Sequence, residues 1–143
     1  MTHTCKNLLI RCMDFRLNAE VKRWTKESEL FEGGFDIVSV AGACKNLADG
    51  SEEIKESFLG NVAVSVDLHK AEKIIIFHHS DCGAYAQSYD FSSIEEEKIK
   101  QIEDMEKAKE IILEKYPNVE VVLVFGTMKD GEGREVDFDI IKY

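Results

Sequence analysis

Residues 73–77 read Lys-Ile-Ile-Ile-Phe, and His78-His79-Ser80-Asp81-Cys82-Gly83 follow directly. An unbroken apolar run between polar neighbours predicts a strand buried on both faces, because a strand wetted on one face would alternate. Two buried faces require covering layers on both sides, and the flanking sequence supplies them as amphipathic segments between further apolar runs.

Upstream, Asn7–Cys12 (NLLIRC) and Phe35–Val40 (FDIVSV) read as the first two strands. The helix between them places Leu17, Val21, Trp24, Ser28 and Phe31 on one face, and Gly33-Gly34 ends it. A second helix over Glu52–Lys70 is capped by Ser51 and carries Ile54, Phe58, Val62 and Val66 at helical spacing. Gly60 marks a local weakness in it, where a kink or a tight contact is expected. Downstream, Ser93 and Glu96 form a capping box for a third helix. Its stripe is Ile102, Met105, the aliphatic stem of Lys109 and Ile112, and Pro117 stops it. Val119–Phe125 (VEVVLVF) is the fourth strand, and Asp130-Gly131-Glu132-Gly133 turns the chain into an alternating edge strand, Glu135–Ile141.

Right-handed crossovers make this an α/β fold of three layers, α/β/α. The central sheet is mostly parallel in the order 2-1-3-4, with an antiparallel C-terminal edge, in one domain over residues 1–143. Ligands in such sheets sit beyond the carboxyl ends of the strands, where the strand order reverses.

Composition narrows the function classes. Lys and Arg number 18 against 28 Asp and Glu, a net charge of −10, which disfavours binding to a phosphate backbone. The apolar runs are too short to cross a bilayer, so no membrane partner is expected. Met1–Lys6 leads into only a few apolar residues before Arg11, which is no secretory leader, and a cytoplasmic location is expected. In that reducing compartment Cys5, Cys12, Cys44 and Cys82 point to metal binding, catalysis or core packing rather than disulfides.

The first strand ends in Cys12-Met13-Asp14-Phe15-Arg16, and His79 and Cys82 follow the third. With those strands adjacent at the switch point, Cys12, His79 and Cys82 converge on one crevice. Two thiolates and an imidazole are a ligand set for catalytic Zn2+, one per chain, with the fourth position left open. Spaced two apart, Cys12, Asp14 and Arg16 would share one side of an extended chain. Arg16 could then hold Asp14 ionised through a bidentate pair, with Asp14 orienting a zinc-bound hydroxide or itself taking the fourth position.

Cys-x-Asp-x-Arg at Cys12–Arg16 together with His-x-x-Cys at His79–Cys82 resembles the β-class carbonic anhydrases, and His78–Gly83 is especially similar to their compact microbial branch. The resemblance implies reversible hydration of carbon dioxide to bicarbonate by attack of zinc-bound hydroxide. It implies Cys12, His79 and Cys82 as zinc ligands, Asp14 and Arg16 as the catalytic dyad gating the fourth position, and a homodimer or larger homo-oligomer. The family usually carries Arg-Asn-Ala-Gly after the second strand, where this chain has Ser39-Val40-Ala41-Gly42. Cys12 also stands too near the start to leave room for the family's partner-embracing N-terminal helices. Both departures keep open a relative that hydrolyses another small heterocumulene, carbon disulfide or carbonyl sulfide.

Blander readings accompany these. Cys44 could close the metal site as a third thiolate, giving a zinc-stabilised binding module, or simply fill core. Asp14 and Arg16 could be a structural ion pair. His78 should point opposite to His79 as a satisfied core histidine, and Asp81 should cap the helix starting at Gly83. His69 suits a helix C-terminus, while His3 and Cys5 fall in a loose terminus. Tyr85 and Phe15 could line an apolar pocket. The acidic helix Ser93–Lys115 reads as a solvated face. Ala41–Lys45 lacks the Walker A and GxGxxG spacings, and the loop from Cys12 to Arg16 is too short for a thiol phosphatase.

Overall fold

Ile74, Ile75, Ile76 and Phe77 are fully buried in a computed structural model that describes residues 3–143. They form most of β3 (Lys73–His79), which pairs in parallel with β1 (Asn7–Cys12) on one side and β4 (Glu120–Met128) on the other. β2 (Phe35–Val40) runs parallel to β1, and β5 (Val136–Lys142) runs antiparallel to β4. The sheet order is β2-β1-β3-β4-β5, the expected 2-1-3-4 with the antiparallel strand added at the β4 edge.

Alternate residues of the same strands feed opposite cores. On one face Leu8, Ile10, Ile74, Ile76 and Leu123 meet α2 (Lys45–Asp49), α3 (Glu52–Ala63) and α5 (Ile94–Lys115) through Leu47, Phe58, Val62, Met105 and Ile112. On the other, Leu9, Ile75, Phe77, Val122 and Val124 meet Val21 and Trp24 of α1 (Asn18–Glu27), together with Phe31. Each such side chain contributes about 1.5–3 kcal/mol on burial. Trp24 also stacks on Phe138 of β5 at 4.4 Å, which ties the antiparallel edge to this layer. Met1 and Thr2, where the leader reading began, lie outside the described residues.

The structure departs from the sequence reading where side chains compete with helical hydrogen bonds. The first helix is three pieces: a 3-10 turn at Phe15–Leu17, α1, and a second 3-10 turn at Glu29–Phe31. Ser28 is extended and its hydroxyl accepts the Leu30 N–H, so it breaks the helix instead of sharing its face. The second helix keeps its Ser51 cap but loosens into a π-turn at Val64–Leu68. A side chain at Gly60 would meet only open space, so Gly60 makes no tight contact. α2 has no counterpart in the sequence reading; its five residues are too few to show a period.

Two further expectations are corrected. The terminus is not loose at Cys5, whose N–H donates to the His69 carbonyl at 3.0 Å. Nor is α5 a plain solvated face: Glu97, Gln101 and Asp104 are buried along it with Met105, Ala108 and Ile112. Asp104 accepts the Tyr85 hydroxyl at 2.8 Å, and the other two serve the centre described next.

Candidate metal centre

β1 and β3 are neighbours, and their carboxyl ends deliver Cys12 and His79 side by side. The turn after β3 brings Cys82 back against them, entering α4 (Gly83–Ser88). The Cys12 and Cys82 sulfurs lie 4.0 Å apart, and their Sγ atoms and a ring nitrogen of His79 all fall within 4.8 Å of one another. All three residues are buried.

The donor set is arranged for a cation. His79 Nδ1 donates to the Ser80 carbonyl at 2.7 Å, which leaves the Nε2 lone pair free. Among the described residues that Nε2 is the one buried polar side-chain atom without a partner. A lone pair orphaned in the interior costs free energy unless something binds it. Cys82 hydrogen-bonds to Cys12 and, with His79 and the Gly42 N–H, outweighs burial to hold the Cys12 thiol far below its usual range. The Gly42 N–H reaches the Cys12 sulfur at 3.4 Å. Gly42 has φ of 75°, and a Cβ there would come within 2.9 Å of the Lys45 Cβ, so this donor depends on glycine. A low thiol pKa at Cys12 beside a second sulfur, a tautomer-fixed imidazole and a backbone donor to sulfur suit zinc ligation, so these residues fit the ion.

Asp14 stands beside this group, its Oδ2 lying 3.9 Å from His79 Nε2. It is not held there by extended chain. Its side chain caps the Phe15–Leu17 turn, Oδ1 accepting the Arg16 N–H at 2.9 Å, and the turn swings the guanidinium onto the carboxylate. Arg16 Nη2 donates to Oδ2 at 2.6 Å and Nε to both oxygens at 3.1 Å. These bonds hold the Asp14 carboxyl below the ordinary carboxylate range, against its partial burial. Arg16 is itself pinned, Nη1 donating to Asp81 Oδ2 at 2.9 Å and to the Gly131 carbonyl at 3.0 Å. The Asp81 carboxylate is therefore spent on Arg16. The residue at the N-cap of α4 is Cys82, with no side-chain cap, so the expected capping by Asp81 is not observed.

Sequence reasoning missed the supports. Glu97 accepts the Asp81 N–H at 2.9 Å and the Cys82 N–H at 3.0 Å, fixing the turn that carries Cys82. Gln101 donates to the His79 carbonyl at 2.8 Å and accepts from His78 Nδ1 at 3.1 Å. The buried Arg11 donates to the Cys12 carbonyl at 2.8 Å and to the Asp14 carbonyl at 3.1 Å. One signal was present: Glu97 and Gln101 stand four apart on the inward face of the helix.

His78 behaves as expected. Burial lowers its pKa to about 4, and its Nε2 accepts the Cys44 N–H at 3.1 Å. Cys44 packs in the opposite core with Leu47, Val62 and Ile76, outside the Cys12–His79–Cys82 group, and burial drives its thiol pKa up. A cleft of about 520 Å³ opens over Cys12, Asp14 and Arg16, bordered by Met13, Phe15, Ala41, Gly83 and Ala84. Phe15 lines it as expected, whereas Tyr85 is buried behind it.

The model of the family described as "Putative carbonic anhydrase" matches residues 2–132. An uncharacterized protein of Rickettsia bellii is 36% identical over 120 residues, covering 80% of this chain and 71% of that one. Among solved structures, β-carbonic anhydrase isoform I of Trichomonas vaginalis aligns over 99% of this chain and 86% of its own, with TM-score 0.62 and 15% identity. Tetrameric β-carbonic anhydrases of the ascomycete Sordaria macrospora align over 97% and 81%, with TM-score 0.56 and 18% identity. Motif, fold and family match agree, and the chain belongs to the carbonic anhydrase family as a divergent member with the β-class fold.

Proposed function

We propose that this chain is a zinc enzyme that reversibly hydrates carbon dioxide to bicarbonate. In this reading Cys12, His79 and Cys82 hold one zinc per chain, and Asp14 and Arg16 govern its remaining position. The observation that carries the reading is the buried, partnerless His79 Nε2, facing two sulfurs and 3.9 Å from the Asp14 carboxylate. When bound, zinc supplies Lewis acidity that makes water a nucleophile near neutral pH.

The protein residues do the rest. Asp14, kept ionised by Arg16, can only accept hydrogen bonds, so it favours a protonated oxygen donor in the open position and orients it. Arg16 is a positioning residue, held in turn by Asp81 and the Gly131 carbonyl. Met13, Phe15 and Ala84 give a small uncharged gas an apolar approach. A homo-oligomer fits the edge strand β2, whose Ile37 is 55% exposed, and agrees with the tetrameric relatives of Sordaria macrospora. The four free thiols suit a reducing cytoplasm. No helix among the described residues is long and apolar enough to cross a membrane.

The test is stopped-flow carbon dioxide hydration with zinc quantified in the same sample, from neutral to alkaline pH. A rate that rises with pH at one zinc per chain is expected. Asp14→Ala should retain zinc and lose turnover by about 10²-fold or more. A zinc-loaded protein with no rate at any pH would end the carbon dioxide reading and direct the assay to carbon disulfide and carbonyl sulfide.

A further inference from the structure

At the other end of the sheet, three chain segments bring together a second cluster of cysteine, carboxylate and histidine side chains. Cys5 precedes β1, Asp36 lies near the start of β2, and His69 follows the π-turn that leads toward β3. Cys5 Sγ lies 3.3 Å and His69 Nδ1 2.8 Å from the same oxygen, Asp36 Oδ2. The three ligand atoms all lie within 4.8 Å of one another, the same closeness that defines the Cys12–His79–Cys82 group. Cys5 and Cys12 bracket the length of β1, so the two groups are separated by roughly 20 Å of extended chain.

We propose that Cys5, Asp36 and His69 form a second site for a divalent ion of zinc type, independent of the centre at Cys12. Thiolate, imidazole and carboxylate together match borderline-soft ions and disfavour magnesium or calcium. Tetrahedral ligation at ordinary zinc distances needs ligand separations of about 3.4–3.6 Å. The Cys5–Asp36 pair already nears this, and the His69–Asp36 pair must open by roughly half an ångström. Binding releases the Cys5 thiol proton to solvent and moves the His69 ring proton from Nδ1 to Nε2, so that Nδ1 and sulfur both face the ion. Ser65 donates to Asp36 at 2.8 Å and supports the carboxylate as metal-ligating carboxylates usually are.

Two features separate this group from a simple polar staple. A thiol is a weak donor, and a serine at position 5 would serve a purely hydrogen-bonded cluster better. The backbone is also set, since the Cys5 N–H donates to the His69 carbonyl at 3.0 Å and holds two ligands together before any ion arrives. The His69 and Asp36 side chains are 35% and 31% exposed, which leaves an entry path and a position for water. An ion there would clamp the N-terminal segment, β2 and the end of the π-turn together.

The experiment loads the full chain with zinc, removes weakly held ion by desalting, and counts metal per chain. Two zinc ions are expected in the native protein, and one in Cys5→Ser and in His69→Ala. In cobalt-substituted protein the thiolate-to-metal charge-transfer absorption should fall by about a third in Cys5→Ser, as three ligating thiolates become two. Asp36→Asn keeps the shape and removes the charge, so it tests the site even if a Cys5 variant folds poorly. One zinc in the native chain, retained in Cys5→Ser, overturns the proposal, as do two zinc ions retained in that variant. A single zinc lost in Cys5→Ser would uphold this site and overturn the reading of Cys12, His79 and Cys82 instead.

Discussion

Replacing Glu97 by alanine should loosen the candidate metal centre from behind, although Glu97 hydrogen-bonds to none of its three candidate ligand atoms. The residue is 8% exposed and its carboxylate accepts three hydrogen bonds, from the Asp81 N–H, the Cys82 N–H and Gln101 Nε2 at 3.2 Å. Asp81 is exposed, so water can replace its lost acceptor. The buried Cys82 N–H loses its only side-chain acceptor, at about 1–3 kcal/mol, and the buried Gln101 amide loses one of its two acceptors, keeping the His79 carbonyl. Glu97→Ala should therefore destabilise the metal-free chain by about 1–3 kcal/mol, read as a lower urea midpoint. The turn carrying Cys82 gains freedom that zinc binding must remove, so affinity in a chelator competition should fall about 10–100-fold. Glu97→Gln keeps one acceptor oxygen and should fall between native and alanine in both assays. A Glu97→Ala chain within about 0.5 kcal/mol of native, with native zinc affinity, would refute the argument that this helix face supports the site.

Two more outcomes follow from the same geometry. Cys44→Ser puts a hydroxyl into a fully buried apolar setting and should cost about 1–3 kcal/mol in urea unfolding, while zinc per chain stays unchanged. Loss of zinc in that variant would mean that Cys44 reaches the metal after all. Gly42→Ala sets a Cβ 2.9 Å from the Lys45 Cβ at a φ of 75°, and should lower thermal stability by about 2 kcal/mol or more while weakening zinc binding through the displaced N–H to Cys12. Native stability and native affinity together would show that the loop yields freely.

The features legible in the sequence were local ones. Asn7–Cys12 and Phe35–Val40 are strands with the bounds their apolar pattern predicts, and Lys73–Phe77 forms the first five residues of β3, buried from Ile74 on. The Ser51 and Ser93 caps each accept the N–H three residues on, since a cap needs only its own turn. The convergence of Cys12, His79 and Cys82 was legible for a similar reason: once β1 and β3 are neighbours, side chains at their carboxyl ends have little choice of where to meet. Ser28 went the other way because apolar periodicity is blind to a hydroxyl that can replace a helical acceptor.

The sequence by itself determined the layered α/β plan and the strands that build it, because short-range periodicity carries that information, and it placed Cys12, His79 and Cys82 together only once β1 and β3 were taken as neighbours. Only the tertiary structure decided that Asp14 meets Arg16 through a capped turn, that Glu97 and Gln101 face inward to hold the Cys82 turn, and that Cys44 belongs to the opposite core. It alone also joined Cys5, Asp36 and His69 from segments about thirty residues apart. The physical reason is common to all four. A polar side chain takes its role from the partner it finds after packing, and that partner lies on another segment or is presented by a turn whose shape the packing sets.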